Sequence, residues 1–384
     1  DVWSLIAEAT VEQFKNDDDF SDYGLDNITI GSETIESSDI IRRRWLDNDF
    51  YGFTYGLNYN TSKLRTVLGG GYHYFSGDHF GEIIWAQFAS NMNLGDRYYD
   101  NVGVKKDFNT FLKANYQIND KFNLFGDLQL RKVDYGTAGI DSDQRAIATG
   151  NNYNFFNPKF GLTYQLSDNA NLYGSFAISN REPERNDFID NSFLPKHESM
   201  RDLEIGYKRK AENYAVELNF YNMSYDNQLV LTGALNDVGS NVRTNVAKSY
   251  RRGLELNGGI KLSDQLDWNA NVTFSQNKIE NFTEVLYDYG AAWDEYNAVE
   301  NGYKDSDIAF SPNVIAGSNF SYSPIESFKI SLLSKYVGKQ YLDNTSNVNR
   351  TIDAYFVNHL QFTFNFKTKL IKDIGLNLLV NNIL

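Results

Sequence analysis

The chain has 384 residues and a formal net charge of −14, which argues against a nucleic-acid-binding surface built from clustered basic residues. Cysteine is absent, so disulfides, thiolate chemistry and cysteine-ligated zinc sites are excluded. Aromatic residues make up 15% of the chain and proline occurs 5 times, which favours strands, and no run of about 18 apolar residues is present to form a transmembrane helix.

The first part of the chain, residues 1–42, is predicted to be an external loop region, because the strand that follows it is expected to run inward from the outside, and acidic residues are frequent in it, notably at 17–26. The spacing of apolar residues at 2–14 predicts a short helix within it. The sequence begins with Asp, and its last residues, 377–384, lie inside an alternating run. We therefore expect it to be a fragment of a longer protein.

From residue 43 onward, the dominant pattern is an alternation of apolar and polar residues with a period of two, which predicts strands with two different faces. For example, Leu360, Phe362 and Phe364 alternate with Gln361 and Thr363. The pattern predicts about 14 strands, at 43–59, 63–75, 103–118, 121–135, 153–166, 170–182, 197–210, 213–230, 243–262, 266–280, 312–323, 328–342, 354–367 and 373–384.

The connections between these strands alternate in length. Short polar turns are predicted at 60–62, 119–120, 167–169, 210–212, 263–265, 324–327 and 368–372. Long polar segments lie between them, at 76–102, 136–152, 183–196, 231–242, 281–311 and 343–353. Outer-membrane barrels have this arrangement, because their periplasmic turns are short and their external loops are long. A soluble propeller or sandwich is the alternative, but a propeller would show a recurring motif every 40–50 residues or so.

The predicted fold is therefore all-β, an antiparallel transmembrane β-barrel formed by residues 43–384. If the short turns are periplasmic, the strand at 43–59 runs inward and the strand at 373–384 runs outward. Because unpaired strand edges are prohibitive in lipid, we expect at least one outward strand before residue 43 and one inward strand after residue 384. The complete barrel would then have at least about 16 strands.

Several segments go beyond this general pattern and resemble the C-terminal barrel of TonB-dependent outer-membrane receptors. They are 179–183 (SNREP), 203–208 (LEIGYK), 221–233 (YNMSYDNQLVLTG), 245–255 (NVAKSYRRGLE) and 380–384 (VNNIL). The segment 77–81 (GDHFG) is similar to the version found in Bacteroidetes. The resemblance covers most of residues 43–384.

The resemblance implies a barrel of about 22 strands in the bacterial outer membrane, of which this chain holds about 14. It also implies a plug domain inside the barrel and a segment that contacts TonB, both expected outside this sequence. The function implied is TonB-dependent active import of a scarce, large nutrient of the iron-siderophore, haem or cobalamin type. A glycan importer that works with a surface lipoprotein and a passive porin-like diffusion channel are the alternatives.

Enzymatic activity is not predicted, because the sequence contains no G-x-S-x-G, H-E-x-x-H, P-loop or G-x-G-x-x-G motif. No cofactor and no metal site are predicted either, since none of the 4 histidines has a second histidine at ligand spacing. The expected partners are the TonB complex, the receptor's own plug, outer-membrane lipids, a small nutrient ligand and, in the glycan alternative, a surface lipoprotein, but no nucleic acid.

Two groups of residues are candidates for contacts. Aromatic side chains and a histidine in the external segments, expected to be exposed, are candidates for contacting the nutrient: His79, Tyr98, Tyr99, Tyr153, Trp293, Tyr296 and Tyr303. Charged side chains on the polar face are candidates for holding the plug through charge-assisted hydrogen bonds: Arg181, Glu182, Arg251 and Glu255.

Overall fold

The computed structural model describes residues 4–13, 18–88, 93–191, 194–235, 241–288, 290–292, 297–367 and 371–383. Its main element is a 16-stranded antiparallel sheet. The strands are β1 (Ser4–Gln13), β2 (Ile40–Asn60), β3 (Leu64–Ala86), β4 (Arg97–Gln117), β5 (Phe122–Ile140), β6 (Ala146–Ser167), β7 (Ala170–Arg181), β8 (Glu198–Lys210), β9 (Tyr214–Leu235), β10 (Asn241–Ser263), β11 (Leu266–Asp288), β12 (Asn297–Asp307), β13 (Val314–Ile325), β14 (Phe328–Val337), β15 (Tyr355–Phe366) and β16 (Ile374–Val380).

Each strand pairs with its neighbour in the sequence, except that β11 pairs with both β12 and β13. One short helix, α1 (Arg185–Ile189), follows β7. A single-turn 3-10 helix at Phe20–Tyr23 and short two-stranded pairs lie between β1 and β2 and between β14 and β15. The described part of the chain contains no helix that could span a membrane.

The two faces of the sheet differ along whole rows of paired residues. Tyr207 pairs with Leu218, Leu218 with Leu256, and Leu256 with Val272, so these four apolar side chains form one row on one face. The next row, on the opposite face, is polar and consists of Lys208, Glu217, Asn257 and Asn271. Because side chains alternate between faces, each strand contributes to an apolar face and a polar face.

The apolar face is exposed although its side chains are large and hydrophobic. Leu68, Leu112 and Leu128 pair in one row across β3, β4 and β5, and their exposed fractions are 41%, 45% and 40%. An exposed apolar surface that runs across a whole sheet is what a lipid-facing barrel wall requires.

This apolar band ends at a definite level. On β2 and β3 its last members are Tyr51 and Tyr74, whose rings stack with centroids 4.7 Å apart. The next paired residues on this face are Asp49 and Ser76. Aromatic residues are typical of the boundary between hydrocarbon and water. The strand ends beyond this level, which carry the longer connections, are called the outer end below.

The polar face lines a concave space. A cavity of about 950 Å³ lies on it, and residues from β8, β10, β13 and β14, including Lys208, Asn257, Asn319 and Lys335, line the same cavity. Strands far apart in the sheet order therefore curve around a common interior, as in a barrel wall.

All of the predicted strands from 43–59 to 373–384 are confirmed, and so is the antiparallel order. Several extend further outward than predicted. For example, β5 and β6 pair up to Ile140 and Ala146, so the segment 136–152 is mostly hairpin rather than loop. Strand β12 was not predicted, because 281–311 was expected to be a long loop.

The helix expected at 2–14 is wrong for the described residues, because Ser4–Gln13 form β1. Strand β1 runs antiparallel to β2, with Ser4 opposite Phe50 and Gln13 opposite Ile41. It therefore runs outward beside β2, as the strand directions predict for a strand before residue 43. Since it pairs with β2 beyond the apolar band, the assignment of residues 1–42 to an external region stays a prediction.

Candidate functional site

The densest group of charges on the polar face lies near the outer end of β4 and β5. Arg131 of β5 donates Nη2–H to Asp107 Oδ2 (2.6 Å) and to Glu182 Oε1 (2.8 Å), and Nη1–H to Glu182 Oε2 (2.8 Å). Lys105 of β4 donates to Glu182 Oε1 at 2.7 Å. Glu182 itself follows β7 and is 8% exposed, so this network joins the segment after β7 to the inner wall.

Burial of Glu182 opposes its ionisation, but the hydrogen bonds from Lys105 and Arg131 outweigh it and hold the pKa of Glu182 below its ordinary value. Glu182 is therefore a carboxylate at neutral pH, and both of its oxygens are occupied by cationic donors.

The segment that contains Glu182, residues 182–191, is called the inner strap because it lies on the polar face and includes α1. Phe188 of α1 packs with Val133, Tyr153 and Phe155, and all four are buried. Phe188 reaches all three because Val133, Tyr153 and Phe155 lie on the adjacent strands β5 and β6. The hydrophobic cluster anchors the strap to the inner wall.

A second anchor of the strap is an ion pair with β10. Arg243 donates Nε–H to Asp187 Oδ1 (3.0 Å) and Nη2–H to Asp187 Oδ2 (2.7 Å), and Asp187 is 2% exposed. The N–H of Glu184 donates to Asp187 Oδ2 at 2.7 Å, which fixes the start of α1. Because these bonds join residues 56 apart in sequence, the strap bridges β7 and β10.

Arg185, in the first turn of α1, reaches back to the strands. Its Nη1–H donates to Thr137 Oγ1 and its Nη2–H to Asn101 Oδ1, both at 2.7 Å. His79 lies opposite Asn101 on β3. Burial, together with the positive charge of Arg185, lowers the pKa of His79 to about 4. At neutral pH this histidine is therefore uncharged.

The expectation that the aromatic candidates are exposed is wrong for three of them. Tyr98 and Tyr99 are each 8% exposed and pack with Tyr23, whereas Tyr153 is 5% exposed and packs beneath Phe188. They hold outer strands and loops together in the described structure. Their assignment as ligand contacts stays a prediction.

The remaining aromatic candidates lie elsewhere. Tyr303 of β12 donates its hydroxyl to Glu284 Oε2 at 2.9 Å, and the same carboxylate accepts a bond from Arg350. Trp293 and Tyr296 lie outside the described residues. Within the described residues, the remaining candidates therefore do not converge on one site.

The four plug-contact candidates lie in two places on the polar face. Arg181, which is ion-paired with Glu198 at 2.7 Å, and Glu182 line a cavity of about 310 Å³ beside the strap. Arg251 and Glu255 line another cavity, of about 370 Å³. Arg251 donates to Ser311 Oγ at 3.0 Å, and Glu255 accepts from an asparagine at 3.3 Å. Plug contact remains a prediction for all four.

Five residues of this region were not predicted from the sequence: Lys105, Asp107, Arg185, Asp187 and Arg243. The alternation on β4 could have indicated Lys105 and Asp107, which share a face. Nothing local indicates the strap residues, because their partners lie on distant strands. Within the described residues, no group of three or more His, Asp and Glu side chains could hold a metal ion.

Comparison with known proteins agrees with this architecture. The model of the TonB-dependent receptor-like β-barrel family matches residues 1–383. The chain belongs to the TonB-dependent receptor β-barrel family. Members of this family are outer-membrane receptors, so the bacterial outer membrane is the location of this receptor barrel. No curated protein matches the chain in sequence.

Solved structures of TonB-dependent receptors resemble this barrel. The siderophore receptor PiuA from Acinetobacter baumannii is 16% identical, with 91% of this chain and 52% of that chain covered and a TM-score of 0.63. The copper transporter OprC is 13% identical, with 89% and 51% covered and a TM-score of 0.68. The ferric yersiniabactin uptake receptor FyuA from Yersinia pestis is 12% identical, with 99% and 53% covered and a TM-score of 0.61.

At these identities the similarity shows the fold. The chain spans about half the length of each of these structures. The family and its structural neighbours are transport receptors rather than enzymes. The comparisons do not bear on the Bacteroidetes-like segment 77–81, which stays a prediction.

Proposed function

We propose that this barrel is the wall of a receptor that imports a scarce, large nutrient across the outer membrane with energy supplied through TonB. The observation that carries the proposal is that the family model matches residues 1–383. The two faces of the sheet, one apolar and one polar, agree with this match. The partners proposed are the TonB complex, a plug domain of the same receptor, outer-membrane lipids and the nutrient itself.

The geometry supports a passive role for the wall. Its polar rows, such as Lys208, Glu217, Asn257 and Asn271, present charged and amide groups to the concave side, where they solvate a water-filled passage. In the proposed mechanism, external loops and the plug bind the nutrient, TonB pulls on the plug, and the nutrient then passes along this face.

The proposed cargo is a metal chelate of the iron-siderophore, haem or cobalamin type. The similar structures are named as a siderophore receptor, a ferric yersiniabactin uptake receptor and a copper transporter, and these names favour metal-containing cargo.

Uptake by a strain that lacks the receptor tests the cargo. The strain is supplied in turn with ferric siderophores, haem, cobalamin and oligosaccharides, with and without the full-length receptor on a plasmid. We expect receptor-dependent uptake of at least one metal-containing compound and of no oligosaccharide. Uptake of oligosaccharides alone would instead establish the glycan importer and overturn the proposed cargo.

A further inference from the structure

The apolar face of the sheet carries a groove within the apolar band. Its floor is the row in which Val216, Gly258 and Ala270 pair across β9, β10 and β11. The rows on either side carry larger side chains and form two walls: Tyr214, Ile260 and Trp268 on one side, and Leu256 and Val272 on the other. The groove has a volume of about 570 Å³, which lies in the range of ligand sites, about 300–1,000 Å³.

The groove is open because its floor residues are small, and the backbone does not require them to be. The backbone of Gly258 is not in the left-handed region that favours glycine. A Cβ added at Gly258 would meet the carbonyl oxygen of Ala215 at 3.7 Å, which is an ordinary contact. A larger apolar residue would therefore fit at this position, and it would fill the space that glycine leaves open.

An arginine stands at one end of the floor. Arg209 of β8 pairs with Val216, so its side chain lies on the same face as the groove. Its guanidinium lies over the ring of Tyr214, 5.7 Å from the ring centroid, and this wall residue positions it. Arg209 is exposed, and in the part of the chain that the structure describes no carboxylate lies within ion-pair distance of it. The floor therefore leads to a positive charge that is available to a ligand.

The positions of these residues along their strands give the depth of the groove. Short turns lie on the periplasmic side of an outer-membrane barrel. Strand β8 ends at Lys210, so Arg209 lies beside such a turn, whereas β10 ends at Ser263 and Gly258 lies farther from its own turn. Because barrel strands are tilted, the groove starts at the periplasmic boundary of the membrane and runs obliquely into the hydrocarbon layer.

We propose that the groove binds one phospholipid of the periplasmic leaflet, with its phosphate on Arg209 and one acyl chain along Gly258 and Ala270. A phospholipid has the two parts that the site combines, an anionic phosphate at the membrane boundary and an apolar chain that extends into the hydrocarbon. The fork of a guanidinium matches phosphate oxygens through two parallel N–H···O bonds. The inference rests on the outer-membrane location of the family and not on the proposed cargo.

A second copy of the chain fits the groove less well than a lipid does. In a symmetric dimer the same patch of both copies would meet. None of the described residues that line the groove is acidic, so such a contact would bring together two Arg209 guanidiniums without an anion. Burying an unpaired charge is costly. A lipid phosphate supplies the missing anion, and its acyl chain fills the groove.

Lipid retention by the purified full-length receptor, measured by native mass spectrometry, tests this inference. The probes are phosphatidylglycerol and diacylglycerol with the same acyl chains, since diacylglycerol lacks the phosphate. We expect Arg209→Gln to weaken binding of phosphatidylglycerol by about tenfold or more, because a charge-assisted hydrogen bond is lost, and to leave diacylglycerol unchanged. Arg209→Lys keeps the charge and should recover part of the affinity. Gly258→Leu fills the floor and should weaken binding of both probes.

Two substitutions elsewhere on the apolar face are the matched controls. Gly174→Leu adds the same side chain within the apolar band, where Gly174 pairs with Leu162 and Ile205 and a Cβ also has room. Arg252→Gln removes the same charge from this face near the outer end, away from the groove. We expect neither control to change the binding of either probe.

Several results would overturn the inference. Unchanged binding of phosphatidylglycerol in Arg209→Gln would refute the phosphate contact, and this exposed position decides the matter even if Gly258→Leu does not assemble. Equal weakening by Gly174→Leu or Arg252→Gln would show only general contact with the lipid around the barrel. A wild-type dimer that retains no lipid and dissociates in Gly258→Leu would show an interface between two copies. Nutrient uptake does not enter these measurements, so their outcome is independent of the proposed function.

Discussion

The inner strap should detach from the wall when its ion pair with β10 is broken by Arg243→Met. The Asp187 carboxylate is 2% exposed and accepts two hydrogen bonds from Arg243. Methionine retains most of the aliphatic length of the side chain but leaves the buried carboxylate without a cation. The N–H of Glu184 is then a remaining donor to it.

The cost follows from the burial of the pair. Removing one partner of a buried ion pair costs about 3–5 kcal/mol. The Arg243 side chain is 19% exposed and Asp187 keeps one N–H donor, so we expect the lower end, about 3 kcal/mol. At 1.4 kcal/mol per factor of ten, the opening equilibrium of the strap should rise by about a hundredfold.

Hydrogen–deuterium exchange of the full-length receptor measures this change directly. Amides of residues 182–191 should exchange about a hundredfold faster in Arg243→Met, while those of β5 keep their protection. Arg252→Met is the control, since it truncates an exposed arginine of β10 whose acceptor is neutral. Unchanged exchange in the strap would refute the reasoning, as would an equal increase in all strands.

Two further predictions concern the charges and the two faces. Because the folded-state pKa of Glu182 is lowered, its bonds to Lys105 and Arg131 stabilise the strap above the ordinary value of 4.5 and are lost as the pH falls through the lowered pKa. The protection factors of the strap amides, which correct for the slower intrinsic exchange at low pH, should therefore fall at acid pH, and in Glu182→Gln they should be low at neutral pH with little pH dependence; wild-type protection factors that do not change with pH would contradict this. Leu256→Arg, on the apolar face, should cost about 2–4 kcal/mol and impair assembly in lipid vesicles, whereas Asn257→Arg on the polar face should not; equal assembly of the two would contradict the assignment of faces.

The strands could be predicted from sequence because each has one apolar and one polar face over the membrane-spanning part. Their outer ends could not, because the pattern disappears beyond the apolar band. On β2 and β3 the next two pairs beyond Tyr51 and Tyr74 on the outward face are polar, Asp49 with Ser76 and Asp47 with Asp78, before Trp45 and Phe80 stack on the same face, so the alternation is interrupted there. Strand β12 lies in this outer region and was missed for the same reason.

The site was less predictable, since its contacts join distant parts of the chain. Arg185 bonds to Thr137 and Asn101, which are 48 and 84 residues away in sequence, and no local pattern indicates such pairs. The burial of Tyr98 and Tyr153 was also not foreseeable, because a position in a long polar segment usually indicates exposure. It follows from packing against Tyr23 and Phe188, which only the fold brings near.

The central claim is that this barrel is the wall of an energised importer. The most direct measurement is uptake of a radiolabelled ferric chelate by cells that carry the full-length receptor, before and after collapse of the inner-membrane proton-motive force or deletion of TonB. We predict that the chelate still binds at the cell surface but no longer enters. Uptake that continues at the same rate without TonB would contradict the account and establish a passive diffusion channel.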